Sequence, residues 1–341
     1  MYLELLFLII TGIFFGIITG LTPGIHINLI SLLLLSISPL LLSYFSIISL
    51  AVFIIAMSIT HTFLDSIPSI FLGAPEAATA LGVLPGHRYL LKGNGLMALK
   101  LTIIGSFGAL ILSILLFPLL LPIIKFIYPI IKDYIGWLLL LVVIFMILRD
   151  KFKIWALFIF LLSGIFGLLV FNLNLKNPLF PMLSGLFGVS TLLISLSQNQ
   201  KIPKQKYSTD IKLEPSKTLK ALGSGQFSGF LTSMFPGLGA AQAAVLSMQI
   251  TPNLGDHGFM VLIGSINTAN FTMSLATLYV LNKARNGSVV AISKLMESIN
   301  LTHILLFLFT SLIAGSAAVF LALKIGKVFA NLINKVNYRI L

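Results

Sequence analysis

Long apolar runs follow one another along nearly the whole chain and are separated by short polar turns. Runs of about 17–25 apolar residues are long enough to cross a hydrocarbon core of about 30 Å as helices. The pattern predicts membrane segments at residues 3–20, 25–42, 45–64, 96–117, 136–148, 154–171, 179–196, 218–234, 237–250, 259–281 and 301–323. We therefore predict an all-α polytopic membrane protein with about 9–11 membrane segments.

A helix-breaking pattern occurs twice in this apolar background. "GIITGLTPGIHINL" begins at Gly16 and "GFLTSMFPGLGAAQ" begins at Gly229, and in both a Thr precedes Pro-Gly by four residues. "SITHTF" follows the first and the similar "SINTAN" follows the second. We predict two structural repeats, and the chain then divides into repeat 1 (1–117), connecting transmembrane helices (118–196), a cytoplasmic loop (197–217), repeat 2 (218–323) and a basic amphipathic tail (324–341).

Composition supports the membrane assignment and excludes several classes of site. Hydrophobic residues make up 58% of the chain and charged residues 9%, against about 25% charged residues in soluble domains. The absence of cysteine excludes disulfides, thiolate nucleophiles and cysteine-ligated metals. The net charge of +13 does not indicate nucleic acid, because Lys and Arg lie in short loops between apolar runs. A role in binding anionic membrane lipids stays open.

The distribution of Lys and Arg predicts the orientation in the cell membrane. The basic loops at 149–153 and 197–217, the loop with Arg88 and Lys92, and the C-terminal tail are expected in the cytoplasm, and the N-terminus outside. Repeat 1 then starts outside and repeat 2 inside, so we predict inverted-topology repeats with re-entrant elements. Four cations oppose this rule by lying on the outer side: Lys125, Lys132, Lys283 and Arg285.

Each Pro-Gly pair ends one helix and lets the next one begin. The restarting helix points free N–H groups and a partial positive charge at the break, so two such breaks predict an anion cradle. A simple kink in each helix is the alternative. The candidate substrate-binding residues are Thr22, Pro23, Gly24, His26 and Asn28 at the first break, and Pro236, Gly237, Gly239 and Gln242 at the second.

Ionisable and polar residues lie inside the predicted membrane segments that follow each break. His61 and Asp65 are four residues apart, on one face of a helix, and buried ionisable groups in membranes indicate function. A structural His–Asp hydrogen bond is the alternative. The candidate ion-coupling residues are Thr60, His61, Asp65, Asn267 and Asn270.

A third motif, "LGAPEAATALG" at residues 72–82, contains too much Pro, Gly and Ala for a straight membrane helix. We predict a re-entrant element carrying Gly73, Pro75, Glu76 and Thr79. A position of Glu76 among the lipid headgroups is the alternative.

These motifs resemble a known family. "GLTPGI", "FLGAPEAATALGVLPGHRYLLKGNGLMAL" and "MFPGLGAAQAAVLS" are similar to TctA-like permeases, the large membrane subunit of tripartite tricarboxylate transporters. The resemblance implies movement of small carboxylates coupled to H+ or Na+, with no other cofactor. It also implies a small membrane subunit and an extracytoplasmic binding protein as partners; a homodimer is a further possibility.

The favoured function is therefore a secondary active transporter for a small organic anion. A translocase for an anionic lipid-phosphate carrier is the alternative, since the same cradle would accept a phosphate headgroup. An enzyme is not favoured, because the chain has no zincin motif, and the lack of a Walker A loop argues against direct ATP use.

Overall fold

The computed structural model describes residues 2–25, 27–73, 81, 83–173, 202–207, 211, 213–235 and 238–333. All regular structure in these residues is helical. The helices are α1 (Tyr2–Leu21), α2 (Ile27–Leu41), α3 (Ile47–Leu64), α4 (Ser66–Phe71), α5 (Val83–Leu91), α6 (Gly95–Ile131), α7 (Ile135–Arg149), α8 (Lys153–Asn172), α9 (Pro215–Met234), α10 (Ala240–Ile250), α11 (Gly255–Leu281), α12 (Gly287–Leu295) and α13 (Leu301–Leu332).

Six helical segments in this part of the chain are long and apolar enough to cross a membrane: Tyr2–Leu21, Ile47–Phe71, Gly95–Arg149, Lys153–Asn172, Gly255–Leu281 and Leu301–Leu332. Two shorter apolar helices, Ile27–Leu41 and Ala240–Ile250, each follow one Pro-Gly pair. The prediction of an all-α polytopic membrane protein is confirmed. The segment predicted at 179–196 lies outside the described residues.

Glycines let two helix pairs approach closely with parallel directions. A Cβ at Gly12 of α1 would lie 2.7 Å from the Phe53 carbonyl oxygen, and one at Gly20 would lie 2.8 Å from Leu64 Cβ. In the same way, Gly225 and Gly229 of α9 face successive turns of α11. Close packing of this kind is what small residues provide between membrane helices, where lipid gives no hydrophobic driving force.

The remaining long helices join these pairs into two sets with opposite directions. Along α6 and α11, Ser106 Oγ donates to the Gly264 carbonyl oxygen and Lys283 contacts Tyr128 further on, so these helices are parallel. Helix α13 is antiparallel to α6, because Leu110 of α6 packs on Gly315 and the earlier residue Leu99 packs on the later residue Gly326.

The direction of α13 follows from its contacts with α3 and α4. Gly315 faces Ile59, and the rings of Phe71 and Phe329 lie 6.2 Å apart, so α13 runs parallel to α3. Helices α1, α3 and α13 thus form one set, and α6, α9 and α11 form the other set.

Helix order is the same in the two halves of the chain. A long helix, a Pro-Gly pair, a shorter apolar helix, a buried long helix, a nine-residue helix and a long final helix occur as α1–α6 and again as α9–α13, with α4 continuing α3. Corresponding helices run in opposite directions: α1 against α9, α3 against α11, and α6 against α13. The inverted-repeat prediction requires this order and these directions.

Two helices extend beyond the boundaries that the hydropathy pattern suggested. Helix α6 continues past residue 117 to Ile131 and contains Pro118, Pro122 and Pro129, and α13 continues past residue 323 to Leu332. Proline is tolerated inside membrane helices when neighbouring groups satisfy the freed backbone. The predicted boundary precedes Pro118 in α6 and Lys324 in α13, and neither residue ends its helix.

Side-chain contacts tie α5 to the start of α11. Arg88 Nη2 donates to Asp256 Oδ1 at 3.2 Å, and Tyr89 Oη lies 3.0 Å from His257 Nδ1. Burial, together with the nearby Asp256 carboxylate, raises the pKa of Tyr89 to about 12, although Arg88 acts in the opposite direction. The phenol therefore stays protonated near neutral pH and is available to donate to His257.

A second contact, at the C-terminal end of α5, attaches the segment 202–207 to the turn between α5 and α6. Gln205 is buried; its Oε1 accepts from the Gly95 N–H at 2.9 Å and its Nε2 donates to the Leu90 carbonyl oxygen at 3.0 Å. The backbone N–H of Lys206 donates to the Gly93 carbonyl oxygen at 2.8 Å. One side chain thus satisfies the last turn of α5 and the first turn of α6.

We expect Gln205→Ala to destabilise the folded protein by about 1–3 kcal/mol, because it leaves the buried Gly95 N–H without its partner. The Leu90 carbonyl oxygen would lose one of its two hydrogen bonds and keep the one from the Gly93 N–H. Thermal unfolding of the purified protein in detergent measures this change. Lys206→Ala is the matched control, since that side chain is exposed and its backbone bond is retained. Equal unfolding temperatures for the two variants would contradict the role of Gln205.

Candidate functional site

A buried polar cluster lies where α3 meets α11, between the two oppositely directed sets. Asn267 Nδ2 donates to Asp65 Oδ2 at 2.6 Å and to the Thr62 carbonyl oxygen at 3.3 Å. Thr62 Oγ1 and Thr268 Oγ1 are 3.2 Å apart. Asp65 is 1% exposed, so its carboxylate has little contact with bulk water. A buried charge of this kind persists only when polar partners or a bound cation compensate it.

The other predicted ion-coupling residues lie near this cluster but contact different helices. His61 Nδ1 lies 3.1 Å from Thr19 Oγ1 of α1, so the structure gives His61 a partner on α1 and Asp65 a partner on α11. Thr60 is fully buried against Gly16 of α1. Asn270 is half-buried, and its backbone N faces Gly229 of α9. Asp65 and Asn267, both predicted residues, are joined by a direct hydrogen bond.

The first Pro-Gly break lies next to Asp65. Gly20 of α1 packs on the Leu64–Asp65 backbone, where a Cβ would lie 3.3 Å from the Asp65 nitrogen. Helix α1 ends one residue later, Gly24 has a φ of +87°, and no atom lies within 4 Å of its would-be Cβ. Thr22 Oγ1 donates to the Ile18 carbonyl oxygen at 2.7 Å, and Pro23 is exposed. The break is therefore exposed, and it begins three residues after the contact between Gly20 and the Asp65 backbone.

The second break is described on both sides of its Pro-Gly pair, from Phe235 back and from Leu238 onward. Helix α10 begins after Gly239 with no side-chain cap on its first N–H groups. Gly239 and Gln242 are exposed, and a Cβ at Gly239 would lie 2.7 Å from Gln242 Oε1. This uncapped helix start is available to a ligand. The described residues do not include His26, Pro236, Gly237, Pro75, Glu76 and Thr79; Gly73 is described, with a φ of +65°.

A contact that the sequence pattern missed joins the first turns of α2 and α12. The Ser288 N–H donates to Asn28 Oδ1 at 3.2 Å and to Asn286 Oδ1 at 3.0 Å, and Ser31 Oγ donates to Ser288 Oγ at 2.9 Å. A Cβ at Gly287 would lie 2.7 Å from Asn28. Two helix N-termini, each with a partial positive charge, thus meet close to the first break.

Thr19, Thr62 and Thr268 are also polar residues of the site that sequence reasoning did not select. One signal was present: Thr19 has the counterpart Thr232 at the same distance before the second Pro-Gly pair. Within the described residues, no group of three or more His, Asp or Glu side chains forms a metal site. The chemistry available here is thus that of one carboxylate, one imidazole, and several amides and hydroxyls.

Residues 6–341 match the family described as "Tripartite tricarboxylate transporter TctA family". The chain belongs to the TctA family. It is also 34% identical, over 299 residues, to an uncharacterised protein, MJ1079, of Methanocaldococcus jannaschii; this similarity covers 84% of this chain and 72% of that protein. No solved structure matches the chain.

Family membership establishes the general role of this TctA-family chain. It is a multi-pass membrane protein of the transporter class that serves as the permease component of tripartite tricarboxylate systems. Such systems also contain a small membrane subunit and a binding protein.

Proposed function

We propose that this chain moves a small di- or tricarboxylate across the cell membrane in a process driven by H+ or Na+. The observation that carries this proposal is the position of the first Pro-Gly break, which is exposed and begins three residues after Gly20 contacts the backbone of the buried Asp65. An anion path and a cation-sensitive carboxylate are then neighbours. Such proximity favours coupling, in which binding at one place changes the free energy of binding at the other.

Helix N-termini supply the proposed anion site. The first turns of α2 and α12 touch through Asn28 and Ser288, and α10 starts without a side-chain cap beyond the second break. Free N–H groups at helix starts bind carboxylates without needing a full positive charge inside the membrane. Thr22, His26, Asn28, Gly239 and Gln242 remain the proposed contacts with the anion.

Asp65 and Asn267 supply the proposed coupling element. Their 2.6 Å hydrogen bond joins α3 of one helix set to α11 of the oppositely directed set. Binding of H+ or Na+ at Asp65 changes the charge at this junction and so alters the preferred arrangement of the two sets. Thr62 and Thr268 contribute oxygen atoms that a sodium ion would accept as ligands.

We further propose two inverted repeats, with the N-terminus outside and the C-terminus in the cytoplasm. Support comes from the shared helix order and the opposite directions of corresponding helices. Broken helices at corresponding places in inverted repeats are a feature of transporters whose substrate binds near the bilayer centre. A small membrane subunit and an extracytoplasmic binding protein are the proposed partners.

Thermal unfolding of the purified protein tests this function. We expect di- or tricarboxylates to raise the unfolding temperature, and the shift to grow with sodium or with acid. A ligand at about 100 times its dissociation constant adds about 2.7 kcal/mol of stability. A Pro236→Ala, Gly237→Ala double variant should remain folded and lose this shift. Stabilisation by polyprenyl phosphates and by no carboxylate would instead support a lipid-carrier translocase.

A further inference from the structure

Where α6 contacts the segment 282–286 before α12, two cationic side chains bind the same phenol. Lys283 Nζ and Arg285 Nη2 donate to Tyr128 Oη at 3.4 and 3.3 Å, and Lys283 Nζ lies 5.3 Å from the centre of the Tyr128 ring. Tyr128 is 6% exposed, whereas Lys283 is exposed and Arg285 half-buried. A fixed aromatic side chain therefore holds two cations at a place that solutes reach.

Within the described residues, no carboxylate forms an ion pair with these two cations, Lys283 and Arg285. Lys125 lies three residues before Tyr128 on the same face of α6, and Lys132 lies four residues after Tyr128, directly beyond the end of α6. Asp133 follows in the exposed turn. The cations repel one another, and their hydrogen bonds to a neutral phenol are long, so an anion would stabilise the group.

The pair also lies close in sequence to the proposed anion path. Arg285 precedes Ser288 by three residues, and the Ser288 N–H donates to Asn28 Oδ1 at 3.2 Å. Asn28 follows the first Pro-Gly break in the same segment. The chain from Arg285 to Ser288 thus connects the cation pair to the meeting point of two helix N-termini.

We propose that Lys283 and Arg285 form an anion-binding site that takes up a small di- or tricarboxylate before it reaches the break at Pro23-Gly24. The inference rests on the proposed function, because it assumes that this break belongs to the anion path. An Arg guanidinium and a Lys ammonium group together bind carboxylates through charge-assisted hydrogen bonds. The site lies on the face that we propose to be extracytoplasmic. The positive-inside rule does not account for cations on that face, whereas binding of an anion does account for them.

A single engineered thiol tests the site, because the chain contains no cysteine. Ala284→Cys places the thiol between the two cations and leaves both in place. We expect an anionic methanethiosulfonate to react about tenfold faster than a cationic one, since fixed charge concentrates ions of opposite sign. Millimolar citrate should slow this reaction. Adding Lys283→Gln and Arg285→Gln should remove both the preference and the protection by citrate.

Three comparisons make the result decisive. Tyr207→Cys, in the segment attached to the start of α6, should show no protection by citrate. Equal protection of Ala284→Cys by sulfate at the same ionic strength would indicate charge screening and would overturn the site. Protection by an acidic binding protein but not by citrate would assign this surface to protein docking and would also overturn it.

Uptake by proteoliposomes separates this inference from the proposed function. Protection by citrate without citrate uptake would leave the site standing and contradict carboxylate transport. Citrate uptake without protection would leave transport standing and contradict the site.

Discussion

Replacing Asp65 by asparagine should remove the cation dependence of carboxylate uptake. The substitution keeps the size of the side chain and an oxygen that accepts the hydrogen bond from Asn267, but it removes the negative charge and the titratable group. Couplings between sites are worth about 1–3 kcal/mol, which corresponds to factors of about 5–150 in affinity. Initial uptake rates in proteoliposomes, measured with and without sodium and at two pH values, would show this loss.

The control for this prediction is Asp133→Asn, which makes the same chemical change in an exposed turn. It should leave the dependence on sodium and on pH as in the parent protein. Size-exclusion chromatography establishes that both variants are folded. If Asp65→Asn keeps the cation dependence of the parent, Asp65 is a structural residue that ties α3 to α11, and the coupling site lies elsewhere.

Gly105→Ala and Gly264→Ala should each destabilise the protein by about 3 kcal/mol or more, the upper end of the range for overpacked positions. A Cβ at Gly105 would collide with the Val261 carbonyl oxygen, and one at Gly264 with the Thr102 carbonyl oxygen. Backbone atoms of a packed helix cannot move aside as a flexible side chain can, so α6 and α11 would have to separate. Thermal unfolding and the yield of monodisperse protein in detergent measure the effect.

Gly223→Ala in α9 is the matched control, because no atom lies within 4 Å of its would-be Cβ. We expect it to be neutral or to stabilise the protein by up to about 1 kcal/mol, since alanine favours helix more than glycine does. Unfolding temperatures equal to that of the parent for Gly105→Ala and Gly264→Ala would show that α6 and α11 do not pack this closely.

Particular residues show which parts of the candidate site can be predicted from the sequence. Asp65 and Asn267 were both selected because polar groups inside apolar helices are costly and so indicate a purpose, and the structure joins them by a hydrogen bond. Thr60 and Asn270 were selected on the same ground, yet they face α1 and α9. Ser288 was not selected, because a serine after a short loop carries no unusual signal in sequence.

The sequence by itself determined the membrane class, the two Pro-Gly breaks and the buried ionisable residues, because hydropathy, proline and charge act on the chain locally. Only the tertiary structure decided the partners. It places Asn28 against Ser288, and it sets the register in which Gly16 faces Thr60 whereas Gly229 faces Ala269 and Asn270. An alignment of "SITHTF" with "SINTAN" does not give that register. The rotation and axial position of each helix depend on close packing summed over several neighbours, which no single segment encodes.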